Sequence, residues 1–132
     1  MKAILFIGRL LFSLIFLMAP MMHFTSRGVA YAASQGVPVP SFLVPFSGII
    51  AFLGAVSIII GFKARIGAWL IVLFLVPVSL FMHDFWNIAD AMARGMQMAM
   101  FTKNMALLGG ALIIAYFGSG PWSIDSKTHS NI

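Results

Sequence analysis

Four stretches of this chain, at residues 4–24, 42–62, 66–82 and 98–117, are almost wholly apolar. Each is close to the roughly 20 residues that a helix needs to cross about 30 Å of hydrocarbon. Runs of this length constrain the fold more than any motif does. Backbone inside lipid must satisfy its own hydrogen bonds, and a continuous apolar run does so as a helix. Composition agrees: 61% of the 132 residues are hydrophobic and 8% are charged, where a soluble domain carries about 25% charged residues. The mean hydropathy is +1.04. The expected fold is all-α, a polytopic membrane protein with a four-transmembrane-helix bundle over residues 1–118 and a cytoplasmic tail over 119–132.

The connections complete this topology. Residues 25–40 contain Gly28, Gly36, Pro38 and Pro40 and read as an outer loop, with a short helix over 29–33. Residues 61–67 leave room only for a tight turn between antiparallel neighbours. Residues 83–97 mix Asp84, Trp86, Asp90 and Arg94 with Ile88, Ala91 and Met92, a blend suited to the headgroup layer. Lys2, Arg9, Lys63, Arg65 and Lys127 fall on one side, and Arg27, Arg94 and Lys103 on the other. The richer side is expected to be cytoplasmic, which puts both termini there. A competing reading makes the first run a cleaved signal peptide, because Ala30-Tyr31-Ala32 offers a small-x-small site. The run is longer than a signal core, and Arg9 interrupts its start. Residues 122–132 read as a loosely ordered extension.

The net charge of +5 raises the question of nucleic acid, but the basic residues sit at helix ends without an aromatic-basic patch, so no nucleic-acid partner is expected. Cysteine is absent, which excludes thiolate metal sites and thiol relays. Helix faces follow from spacing. Arg9, Ser13, Phe16, Pro20 and His23 recur at helical steps and form one stripe on the first helix, while Ser47, Ala51, Gly54, Ile58 and Gly61 form a small-residue stripe on the second. Pro77 predicts a kink in the third helix. Gly109-Gly110 in the fourth suggests close packing.

Depth gathers the polar residues at one level. His23 closes the first helix, His83 and Asp84 close the third, Trp86 follows, and Lys103 and Asn104 open the fourth. Two readings compete for this outer cluster. In one it is an interfacial network in which Asp84 accepts from Lys103 or His23 and Trp86 anchors at the headgroups. In the other the helix ends form a pocket, where two imidazoles and a carboxylate hold the head of an amphipathic molecule whose tail lies among the helices. His23, His83 and Asp84 have the ligand types of a two-histidine, one-carboxylate metal centre. Neighbouring residues on a helix point about 100° apart, however, so His83 and Asp84 converge only if the helix ends between them; no metal is expected. Arg9 is placed near the inner end, its side chain snorkelling to lipid phosphates.

The order and spacing of Gly8-Arg9-Leu10-Leu11, His23-Phe24, residues 31–38, His83-Asp84-Phe85-Trp86, residues 103–110 and residues 120–125 resemble the DoxX family of small bacterial inner-membrane proteins. The resemblance covers nearly the whole chain. It implies four membrane helices, the bacterial inner membrane, and an accessory or quinone-linked role beside membrane oxidoreductase subunits; a quinone is the cofactor it suggests. Many members of that family carry a glutamate where Ala51 stands, and lysine is frequent where His23 stands. No nucleophile-base set, phosphate loop or dinucleotide fingerprint is present, so an independent enzyme is not expected. The leading function is therefore an accessory membrane subunit with a head-group site at His23, His83, Asp84, Trp86, Lys103 and Asn104. A small carrier for hydrophobic compounds and a structural or assembly protein, in contact with other subunits or further copies of itself, are the alternatives.

Overall fold

The computed structural model describes residues 1–129, and the description below is confined to them. Proline and glycine set most of the boundaries. Helix α1 spans Lys2–Leu17 and stops because Pro20 has no N–H for the carbonyl of Phe16; Ala19 N–H donates to that carbonyl instead, at 3.3 Å. Pro20 then opens a one-turn helix α2, Pro20–His23. Helix α3, Ser26–Ser34, is capped by Thr25, whose Oγ1 accepts from Gly28 N–H at 3.0 Å. It is longer than the helical turn expected within residues 25–40, because this cap adds a turn ahead of Val29.

Helix α4 runs Pro40–Ile60, with Pro40 in its first turn and Gly61 closing it at φ 67°. Helix α5, Ala64–Met82, follows immediately and keeps Pro77 inside a continuous helix. A short 3-10 turn, Phe85–Asn87, leads to α6, Ala91–Phe117. Residues 91–97 are thus the first turns of α6 and not an interfacial loop. The physical reason is Asp90, whose carboxylate accepts from Ala93 N–H at 2.8 Å and starts the helix early. At 1.5 Å per residue the 27 residues of α6 extend about 40 Å, so its first turns stand beyond the hydrocarbon.

Four segments are long and apolar enough to cross a membrane, Lys2–His23, Pro40–Ile60, Ala64–Asn87 and Ala91–Phe117. Within them α1 packs on α4, α4 on α5 and α5 on α6, around Phe16, Ala51, Ala55, Ile58, Ala68, Ile71, Phe74, Leu75 and Ala111. Both stripes read from spacing face inward: Arg9, Ser13 and Phe16 are the buried residues of α1, and Ala51, Gly54 and Ile58 are buried on α4. Small residues let backbones meet where lipid supplies no hydrophobic drive. A Cβ on Gly54 would lie 2.8 Å from the carbonyl oxygen of Gly67, so α4 and α5 touch main chain to main chain. Of the pair on α6, Gly110 faces Phe12 whereas Gly109 meets open space.

The last segment is docked. Helix α7, Ile124–His129, returns to the turn between α4 and α5. Asp125 accepts from Lys63 N–H at 2.9 Å and from Ala64 N–H at 3.2 Å, and its own N–H donates to Gly61 at 2.8 Å. The carboxylate thus caps α5 in place of a residue from the turn itself. Ser119 and Ser123 are buried and hydrogen-bonded to each other at 3.0 Å. A loosely ordered extension is not what residues 122–129 form; residues 130–132 of the expected extension lie outside the described residues. This docking also accounts for Arg9. Its guanidinium is buried and donates to the carbonyls of Trp122 at 2.6 Å and Pro121 at 3.5 Å, with the Phe6 ring 5.8 Å away. In place of the expected snorkelling the guanidinium makes a protein contact, because the returning chain brings two main-chain carbonyls within hydrogen-bond reach.

Candidate functional site

At the opposite end, helix α2 and the end of α5 bring His23 and His83 to a shared position. Both rings line a cavity of 640 Å³ that runs between α3, α4 and α5. Its walls are apolar side chains, among them Met22, Val44, Phe46, Ile50, Leu73 and Phe81, with Tyr31 and Pro77 completing it. Leu73 and Phe46 are about half exposed, so the cavity is open sideways toward the lipid. The same two histidines line a smaller cavity of 220 Å³ on the side of α1 and α6, together with Phe74, Lys103 and Asn104. Four of the six residues selected from the sequence therefore converge: His23, His83, Lys103 and Asn104.

Each of these side chains is oriented by a neighbour. His23 Nδ1 lies 2.6 Å from the carbonyl of Ala19, one turn back, and its ring stands 5.6 Å from that of Phe74. Gly48 makes room for it, since a Cβ there would fall 2.7 Å from His23 Cβ. His83 Nδ1 is 2.7 Å from Gln97 Oε1, a bond that ties the end of α5 to the first turns of α6. Asn104 is buried and donates to Ser79 Oγ at 3.2 Å, and Ser79 in turn donates to Leu75 at 2.6 Å. Lys103 is exposed, with Nζ 3.7 Å from Met100 Sδ.

Asp84 and Trp86 do not join them. The Asp84 carboxylate accepts from Asn87 Nδ2 at 2.9 Å, inside its own turn. The expected bond from Lys103 or His23 to Asp84 is absent among the described residues, because the chain leaves α5 at His83 and carries Asp84 away from the helix ends. Trp86 packs edge-on against Phe85 and Phe101, with centroids 5.2 and 5.7 Å apart, and holds the turn to α6. Among the described residues no cluster of three or more His, Cys, Asp or Glu side chains gathers into a metal-binding group.

Gln97 and Ser79 escaped the sequence reading. A heptad step would have found the first, because Gln97, Asn104 and Ala111 share one face of α6. Ser79 lies one turn before His83 and one turn after Leu75, on the buried stripe of α5.

What this arrangement provides is an apolar slot with polar atoms confined to one end, the general form of a site for an amphipathic molecule. The comparisons agree with its setting. "Inner membrane protein YphA" of Escherichia coli (strain K12) is 30% identical over 126 residues, covering 94% of this chain and 89% of that protein. "Inner membrane protein YqjF" of the same organism is 29% identical over 119 residues, covering 90% and 87%. No solved structure matches the chain. The chain is accordingly an integral inner-membrane protein with four spans. The family model that matches is that of the SURF4 family, over residues 1–130, and the chain belongs to that family.

Proposed function

We propose that the protein is a membrane-embedded binding subunit, not an independent enzyme, that holds an amphipathic molecule with its apolar chain in the 640 Å³ cavity and its head at His23 and His83. The observation that carries the reading is the placement of two imidazoles, each fixed through Nδ1, at the polar end of a wall that is otherwise apolar. Burying an alkyl or isoprenoid chain there releases about 25 cal/mol per Å² of apolar surface, and the head group sets orientation.

The molecule in this proposal is a quinone or its reduced form, and the chain serves as an accessory subunit of a membrane redox system. The resemblance to DoxX proteins supports that finer assignment, and so does the size of the cavity, which accommodates a substituted ring and the start of its tail. Lys103 at the rim of the smaller cavity adds a cation beside the head.

The test is a titration of purified protein in nanodiscs with short-chain ubiquinone and menaquinone analogues, in both redox forms. Saturable binding that weakens in His23→Ala and His83→Ala, with both variants eluting and melting as the parent does, supports the reading. Absence of saturable binding by every analogue defeats it. Affinity purification from native membranes addresses the accessory role: a co-purifying redox subunit supports it, and a chain that purifies alone counts against it.

A further inference from the structure

The two imidazoles specify the head group more narrowly than the cavity specifies the tail. A carbonyl oxygen only accepts, so the 2.6 Å contact to Ala19 places the proton on His23 Nδ1. The neutral ring then carries its lone pair on Nε2, turned away from the backbone that holds Nδ1. His83 repeats the arrangement, with Nδ1 donating to the side-chain oxygen of Gln97 at 2.7 Å. Both histidines line both cavities, beside the space between the helix ends.

The nearby hydroxyl donors Ser47 and Ser79 are committed elsewhere, whereas the Asn104 amide keeps a second N–H and the Lys103 ammonium keeps others. Ser47 Oγ donates to Val44 at 2.8 Å, Asn104 Nδ2 donates to Ser79, and Ser79 donates to Leu75. Lys103 stands at the exposed rim of the smaller cavity, and Tyr31 has a hydroxyl that serves in either sense. A carbonyl brought against an imidazole lone pair faces acceptor with acceptor, and a buried polar group left without a partner is penalised. An O–H brought to the same place makes a hydrogen bond.

We infer that the site selects a head group that donates hydrogen bonds, so that of a quinone and its hydroquinone it holds the reduced, hydroxylated form. This inference rests on the amphipath-binding reading above. No redox step is involved; the selection is one of binding. A mismatch of this kind amounts to a preference on the order of tenfold or more for the hydroquinone, and binding of the reduced form raises the midpoint potential of the bound couple by about 30 mV per tenfold for two electrons.

The experiment uses the full chain in nanodiscs, without oxygen and at about pH 8. Three probes share one decyl chain and one ring: the hydroquinone, the quinone, and the bis-methyl ether of the hydroquinone, which keeps the shape and loses both O–H donors. The hydroquinone is expected to bind about tenfold more tightly than the other two. Quinone or ether binding as tightly as hydroquinone overturns the inference while leaving the amphipath site in place. Failure of all three to bind overturns the site itself. A double variant, His23→Gln with His83→Gln, supplies amide donors at both places and is expected to bring the hydroquinone-to-quinone ratio close to one; an unchanged ratio in that variant also overturns the inference.

Discussion

Replacing Asp125 with alanine tests whether the returning C-terminal segment is a structural part of the bundle. The carboxylate accepts from two backbone N–H groups at the start of α5, at 2.9 and 3.2 Å, and from Ser119 Oγ at 3.3 Å. It also steadies Lys63, which holds the left-handed backbone at φ 49°. Loss of a helix cap costs about 1 kcal/mol, and a hydrogen bond to a charged group contributes about 1.5 to 3 kcal/mol when shielded from water. Asp125 is only partly buried, so water recovers much of this, and about 2 kcal/mol of docking free energy is the expected loss. That is roughly a 30-fold shift in the docked-to-undocked equilibrium. Hydrogen exchange read by mass spectrometry should show amides of residues 61–64 and 119–127 exchanging about 30-fold faster, with the middles of α4 and α5 unchanged. Asp125→Asn keeps one acceptor oxygen and should fall between. Parent-like exchange over residues 61–64 in Asp125→Ala would refute the capping role.

Three further substitutions probe other contacts. Gly48→Ala places a Cβ 2.7 Å from His23 Cβ and should move that ring, weakening amphipath binding on the order of tenfold, about 1.4 kcal/mol, with helical circular dichroism retained; unchanged affinity would remove His23 from the site. Gly54→Leu drives a side chain against the carbonyl of Gly67, which cannot yield, and should lower thermal stability in detergent by about 1 to 3 kcal/mol through parting of α4 and α5. Arg9→Met removes the charged donor that meets the Trp122 carbonyl at 2.6 Å, and the loss of stability should be about 1 to 3 kcal/mol; parent-like stability in chemical unfolding would contradict this.

The spans were legible because lipid makes a simple demand: long apolar runs and small-residue stripes carry most of the information about a bundle. Arg9, Ser13 and Phe16 share a face by spacing alone, and they are the residues α1 buries. The ends were harder. Asp90 looked like part of a loop because a single capping carboxylate, not hydrophobic periodicity, decides where α6 begins. The docking of α7 could not be read at all from local pattern, since Asp125 caps a helix that starts 61 residues earlier. The outer cluster was half legible. Depth correctly grouped His23, His83, Lys103 and Asn104, but depth has no azimuth. Asp84 and Trp86 lie at the same level and turn elsewhere, one to Asn87 and the other to Phe85 and Phe101.

The two ends of the bundle use their polar groups in opposite ways, and this contrast supports the proposed site more than any single residue does. Where the termini meet the 61–67 turn, polar groups are closed by contacts with the returning segment: Asp125 accepts from the α5 N–H groups, Arg9 of α1 donates to the Trp122 carbonyl, and the Ser119 and Ser123 hydroxyls bond each other. Gly61 is packed so tightly against Ser123 and Arg9 that no Cβ fits there. At the other end, neighbours use Nδ1 of each histidine, and both residues line a cavity of 640 Å³. Polar atoms next to hydrocarbon are costly when unpaired. On the reading proposed above, a fold that closes one end against itself and sets two histidines beside an apolar cavity at the other would take its ligand there, from the lipid that the apolar walls adjoin.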